Sequence, residues 1–356
     1  MNRQTNYELL SGDIVCCTFI DGKLSVVNEA LAPLYLDDFE EWVASRAIHS
    51  SRGLTARNLK VASGLSANEK SFETALRVNA ACITDNYWVR LEGSKISYKD
   101  VSFEKYDGFF KELALGVDYT YTHYKSDECN PELTNIGGSD KAWVLDNNGD
   151  RWLYKRQPIR ECYNEMFSAN LAAALGIDTV LYELADYTNP DPEIGQFGIV
   201  RSRDFTQNKG MNLESAQLII KHRGSSDNDI LKNADIFSEW GIEQEYLNIK
   251  YLDILIGNPD RHSQNYGVFR CQSSGAIVGM APNFDNNFAF LARDMEIDAF
   301  VLAAEKYKWK RPAVSEDILR GVANRMKSIE GFRNFDENRT VNAVIANNSF
   351  DYSLYR

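Results

Sequence analysis

The stretch that most constrains this chain is "EYLNIKYLDILIGNPDRHSQNYGVFR", residues 245–270. Leu247, Tyr251, Leu252, Ile254 and Leu255 fall at helical spacings, which predicts a buried helix over 245–256. Gly257 supplies its C-terminal stop, and Pro259 prevents it from resuming. "YGVFR" then reads as a strand, "RCQSSGA" as a turn and "IVGMA" as the returning strand.

A helix forced to end there, with a hairpin behind it, fixes where three polar residues fall. Asp260 and Asn265 enter the hairpin, and Asp285, in "PNFDNNFAF", leaves it. Each alone is a routine turn residue. Together they are two carboxylates and an amide, hard oxygen ligands of the kind Mg2+ accepts beside water and phosphate oxygens. The spacing Asp-x4-Asn, followed by a hairpin and a second Asp, is the order of a kinase catalytic loop, with the first Asp as base and the Asn on a metal.

A second constellation lies upstream in "NIGGSDKAWVLDNNGDRWLYKRQP", residues 135–158. Asn148-Gly149 predicts a two-residue hairpin turn between "KAWVLD" and "RWLYKR". Gly137-Gly138-Ser139 sits at the mouth of the first strand, where paired glycines let backbone amides cradle phosphate oxygens. Alternation puts Lys155 on the face of Leu153, so it is either a snorkelling stem or a lysine aimed at nucleotide phosphates. The helix "ECYNEMFSANLAAALGI" follows, with Phe167, Leu171, Ala174 and Leu175 as its apolar stripe and Gly176 as its end. Glu165 lies at the edge of that stripe. It is either solvated or the partner of Lys155, with Glu161 as the fallback partner. Strand, lysine, helix, glutamate is the order of a protein-kinase small lobe.

The 356 residues carry a net charge of −12, 44% hydrophobic and 25% charged residues. The length favours about two domains with substantial cores. The acidic balance argues against broad, non-specific nucleic-acid or anionic-membrane binding, makes direct nucleic-acid binding an unexpected role, and leaves room for a local basic groove. No apolar run is long enough to span a membrane, and "MNRQTNYELLSGDIVCC" lacks the layout of a secretory signal. Cys16, Cys17, Cys82, Cys129, Cys162 and Cys271 are scattered, which implies reduced, mostly buried thiols in a cytoplasm. His49, His123, His222 and His262 are too dispersed for a metal cluster.

Residues 13–27, "DIVCCTFIDGKLSVV", predict a hairpin, and 37–79 predict helices, with Ser66 capping the last of them. "YWVRLE" and "KISY" read as short strands. Residues 55–79 superficially suggest a DNA-reading helix-turn-helix, but the spacing is loose and the chain acidic. Residues 104–135 are polar, aromatic and poorly periodic, which places a boundary near residue 110. "NPDPE" at 189–193 is a turn, and the tail from about 296 is helical, with Ser315 capping "EDILRGVANRMKSI".

"GNPDRHSQNYGVF" followed by "APNFDN" resembles the C-terminal signature of HipA-type kinases, bacterial serine/threonine kinases whose pattern is close to Asn-x-Asp-x-His-x-x-Asn and then Pro-x-Tyr-Asp. Asn258, Asp260, His262, Asn265, Pro282 and Asp285 match, and Phe284 stands where Tyr is usual. The resemblance covers about 135–345. "RAIHSSR" and "ITDNYWV" resemble the N-terminal region of a variant group found in Firmicutes-type genomes.

The resemblance implies an α+β, bilobal, protein-kinase-like fold, with a small β-rich lobe, a mainly helical lobe and an N-terminal α/β extension. The expected segments are 1–110 for the extension, 111–205 for the small lobe and 206–356 for the large lobe. It implies ATP and Mg2+ as cofactors and transfer to a Ser/Thr hydroxyl of a protein or of the chain itself. Asp260 is the implied base, Asn265 and Asp285 the implied Mg2+ ligands, and His262 either a phosphate neighbour or a loop histidine bonded to backbone. Gly137, Gly138, Ser139 and Lys141 match the phosphate-loop segment, with Ser139 as the implied autophosphorylated serine. The adenine hinge is expected near "VRSRDF", 200–205. An antitoxin-like protein partner is implied for the family. A small-molecule or lipid kinase of related fold, a nucleotide-binding pseudokinase and a DNA-bound regulator stay open as alternatives.

Overall fold

The computed structural model describes residues 5–119, 130–187, 197–291, 295 and 297–349. His123, Cys129, the turn expected at 189–193 and part of the 104–135 stretch lie outside the described residues. The fold is mixed α/β, with several small sheets and, among the described residues, 12 α-helices. It divides into two compact units: 1–156 with 203–214 and 270–276, and 157–202 with 215–269 and 277–356. Residue 110 falls inside the first unit.

The first unit opens with an antiparallel sheet in the order Lys23–Val26, Ile14–Ile20, Tyr7–Ser11, Tyr87–Leu91. The hairpin expected over 13–27 is present, turning on Asp21 (φ 50°) and Gly22 (φ 75°). The strand Tyr7–Ser11, which carries no clear alternation, was not legible. Consecutive strand residues face opposite sides. Cys16 and Cys17 are both fully buried, so both faces of the sheet are covered at its centre. On one face Phe39 stacks on Phe19 with centroids 4.6 Å apart.

Two local expectations are corrected here. "KISY" is no strand: Ser97 and Asp100 form a capping box and start the helix Tyr98–Val101. Ser66 caps no helix, because the helix begins later, at Ser71, and the Ser66 hydroxyl accepts the Asn68 amide instead. The preceding helix is Leu54–Ala62.

The strands Asp140–Leu145 and Arg151–Pro158 form the expected hairpin, with Lys141 opposite Lys155. Its turn is not the two-residue form. Asp146 accepts the amides of Asn148 (2.8 Å) and Asp150 (2.9 Å) through Oδ1, and only Gly149 adopts positive φ. A carboxylate with two amide donors nucleates a wider turn than Asn-Gly alone would.

Arg270 sits at the centre of this unit's last contact. It pairs with Glu214 at 2.9 Å, both side chains under a tenth exposed, and donates to the carbonyls of Ala30, Ala32 and Gly275. Tyr87 donates to Glu214 at 2.7 Å. Gly275 (φ +70°) has to be glycine, since a Cβ there would lie 1.6 Å from the Ala30 oxygen.

The second unit is mainly helical. Its central helix, Glu243–Ile256, is buried from Tyr246 onward on nearly every side, Ile249 to Ile256 without a break. That is why its apolar positions form no narrow stripe. Gly257 ends it in the left-handed region (φ 57°), as expected. The helix Ile159–Ala174 is likewise buried on most sides, including Asn164, Glu165 and Ser168. Ala174 is exposed and Leu175 half-exposed, so the stripe expected at that end is not the buried face. The helix Glu316–Lys327 packs on Ile159–Ala174, and Glu337–Asn348 packs on Glu243–Ile256. Ser315 caps the former through the Ile318 amide. Strands Tyr182–Tyr187 and Phe197–Arg203 pair antiparallel, and the segment expected to hold the hinge begins on the second of them. Among the described residues no helix is long and apolar enough to cross a membrane.

Candidate active site

Residues 137–141 and 155 belong to the first unit, and 165, 260, 262, 265 and 285 to the second. In the second unit, the site grows out of the end of the central helix. Past Gly257, the Asn258 side chain folds back: its Oδ1 accepts the Asp260 amide at 3.1 Å and its Nδ2 donates to Asp253. This Asx turn fixes the backbone that carries Asp260, which is half-buried. Asn265 donates its Nδ2 to the Asp260 carbonyl at 3.0 Å, so the end of the amide that could meet a cation is Oδ1.

Arg261 joins this loop to the one after the hairpin. Its Nε bonds the Asp253 carboxylate at 3.0 Å and its Nη1 bonds the Asn265 carbonyl at 2.8 Å. The same guanidinium reaches the Phe284 carbonyl and Asn286 Oδ1. One fully buried fork therefore holds the backbone of Asn265 and the residues on either side of Asp285. The hairpin closes the same gap from below, with the Ala281 amide on the Gly267 carbonyl at 2.8 Å. Asp260, Asn265 and Asp285 are thus brought to one end of the hairpin, as their order in the sequence required.

Asp285 itself lies at φ +62°, a conformation that few residues other than glycine tolerate, and Asn and Asp tolerate best. Its loop is clamped from the helix Ile159–Ala174. Glu161 accepts from Asn287 Nδ2 at 3.0 Å. Asn164 donates to the carbonyls of Asn287 (2.9 Å) and Ala289 (2.8 Å). Glu165, fully buried, accepts the Asn286 amide at 3.3 Å. Tyr182 accepts the Asp285 amide at 3.4 Å, and burial, with Glu165 next to it, pushes its phenol well above the usual range. Glu165 is therefore not a solvated glutamate. His262 is half-buried, and its Nδ1 accepts the Gln264 amide at 3.3 Å, the bond of a loop histidine.

In the first unit, Gly137 (φ +102°) and Gly138 are exposed and Ser139 half-buried. A Cβ on Gly137 would lie 2.4 Å from Lys141 Nζ, so the lysine amine reaches back over the turn. Lys155 is buried at 6% exposure, far from the solvated lysine that is the default for a strand.

Neither Arg261 nor Asp253 was legible as a site residue: their spacing of eight crosses a helix end and belongs to no motif. Glu161, Asn164 and Glu165 did leave a signal. They stand at i, i+3 and i+4, a polar strip on a helix otherwise rich in apolar residues.

No family model matches the chain, and no curated protein matches it. Among solved structures it is similar to the Helicobacter pylori proinflammatory kinase CtkA, at 16% identity and a TM-score of 0.42, over 60% of this chain and 92% of that one. It is also similar to HipA of Shewanella oneidensis MR-1, solved with HipB and operator DNA, at 12% identity and a TM-score of 0.48, over 96% of each chain.

Proposed function

We propose that this protein is an ATP-dependent, Mg2+-dependent kinase of HipA type that transfers the γ-phosphate to a Ser/Thr hydroxyl of a protein or of itself. What carries this is the Arg261 fork, which ties the Asp260–Asn265 loop to the Asp285 loop within one buried hydrogen-bond set.

The donor set fits the cation. Asn265 Oδ1 and the Asp285 carboxylate would hold Mg2+, with phosphate oxygens and water as its remaining ligands. Mg2+ bound there would neutralise charge on the phosphoryl group in transit. Asp260, held by Asn258 and Asn265, would orient the substrate hydroxyl and accept its proton. The amides of the glycine turn, with Lys141 and Lys155, would hold the ATP phosphates. Catalysis on this account is positioning and electrostatics.

The test is phosphate transfer from labelled ATP, with wild-type, Asp260→Ala and Asp285→Ala proteins of matched melting behaviour. Both variants should lose transfer. Wild-type rates in either one would refute the assignment. Mass spectrometry of the labelled product separates a protein acceptor from a small molecule or lipid. A wild-type protein that binds ATP but transfers nothing is a pseudokinase.

A further inference from the structure

The glycine turn is not held by the hairpin alone. Its backbone is pinned from the N-terminal segment His49–Arg52, far away in sequence. Arg52 is 5% exposed, and among the described residues its side-chain hydrogen bonds go to the carbonyls of Asn135 (2.9 Å), Gly137 (3.2 Å) and Lys141 (3.4 Å). The segment is itself rigidly made. His49 Nδ1 accepts the Ser51 amide at 3.2 Å and lies 2.6 Å from the Ser51 hydroxyl. That hydroxyl lies 3.2 Å from where a Cβ on Gly138 would stand, so a larger residue at 138 would have to push it aside.

Peptide planarity turns this pinning into a directional device. In a trans peptide the carbonyl of one residue and the N–H of the next point opposite ways. Drawing the carbonyls of Asn135 and Gly137 toward Arg52 turns the amides of Ile136 and Gly138 to the other, exposed side of the turn. Outward amides two residues apart on a glycine turn can converge on one anion, as in an anion-binding concavity. The charge balance agrees with this. Arg52 bonds only carbonyls, and burial pushes its guanidinium down to about 10, against the opposing fields of Glu132 and Asp140. A buried cation so held gains from a phosphate at the turn.

We propose that Arg52 is a positioning residue for the nucleotide phosphates, so that the N-terminal region forms the back wall of the phosphate turn. This rests on the kinase function proposed above. Arg52 acts through the turn's amides and need not touch the nucleotide.

The experiment measures binding of ATP and of adenosine by the full chain, with steady-state kinetics, for wild type, Arg52→Ala, Arg52→Gln and Arg52→Lys. Arg52→Ala and Arg52→Gln should weaken ATP binding and raise its KM by about tenfold or more, the loss of two or so charge-assisted bonds' effect on the turn. Adenosine binding should not change, kcat should fall by less than about threefold, and Arg52→Lys should recover part of the ATP affinity. Equal weakening of ATP and adenosine marks a purely structural role and overturns the proposal, as does wild-type ATP affinity in a folded Arg52→Gln protein. Failure of all three variants to melt cooperatively assigns Arg52 to folding and also overturns it. Wild-type protein that binds no ATP overturns the kinase function itself, and the inference with it.

Discussion

Asp253 and Arg261 form an ion pair with both side chains 2% exposed, Nε 3.0 Å from Oδ1, across the end of the central helix. Burial pushes the Asp253 carboxyl up, and Arg261 and Lys250 pull it back. The pair ties the helix end to the Asp260–Asn265 loop, and the same guanidinium also holds the loop that carries Asp285.

Arg261→Met therefore strands a buried carboxylate and frees two loops at once. It should cost about 3–5 kcal/mol in urea unfolding and abolish phosphate transfer. Adding Asp253→Leu should return part of the stability, since an apolar pair replaces the ionic one, but none of the transfer.

At Asp285 the backbone rather than the carboxylate sets the stability cost. Asn tolerates φ +62°, so Asp285→Asn should unfold within about 1 kcal/mol of wild type, whereas Asp285→Val should lose a further 1–3 kcal/mol or so. Both should be inactive. Equal stabilities for the two would show that the left-handed backbone is not retained in solution.

In the proposed site Asn265 would offer one oxygen to Mg2+, its nitrogen being taken by the Asp260 carbonyl. Asn265→Ala should raise the Mg2+ concentration at half-maximal transfer by about tenfold or more, and chelation should silence wild type and variant alike. The titration with Mg2+ at saturating ATP reads this directly.

Glu132, beneath the glycine turn, gives a pH signature. Burial raises its carboxyl from 4.5 to about 7, against bonds from the Asn135 side chain and the Trp143 amide and the field of Arg52. A folded-state value above the unfolded one means the folded protein holds the extra proton. Its contribution is complete below about 4.5 and is lost as pH rises through about 7. The size is on the order of 3 kcal/mol for a shift of this extent. Urea unfolding of wild type should weaken between pH 5 and 7.5 or so relative to Glu132→Gln, which carries no such proton.

What could be read from the chain itself follows a physical divide. Gly257 and Pro259 act on their own backbone, so the end of the central helix was visible in the sequence, and with it the hairpin end at which Asp260, Asn265 and Asp285 stand. The capping box Ser97–Asp100 is equally local, and its S-x-x-D spacing is readable, though alternation in "KISY" masks it. Arg52 and Arg261 work by reaching carbonyls 85 and 23 residues away, and a lone arginine in a sequence carries no sign of where its five donors will end. Glu165 shows the same limit from the acceptor side: its helix position was plain, but not the Asn286 amide it binds.

The contact around Arg270 sets the smallest portion of the chain worth expressing on its own. A fragment begun at residue 110 would keep Arg270 and Glu214 and lose Tyr87 and the carbonyls of Ala30 and Ala32. It would also leave Gly275, shaped to fit under Ala30, facing nothing. A fragment that keeps this contact must therefore include the sheet from Tyr7 onward, whose strand Tyr7–Ser11 pairs with the strand of Tyr87, and a different N-terminal region could be grafted on only together with its own 270–276 hairpin tip.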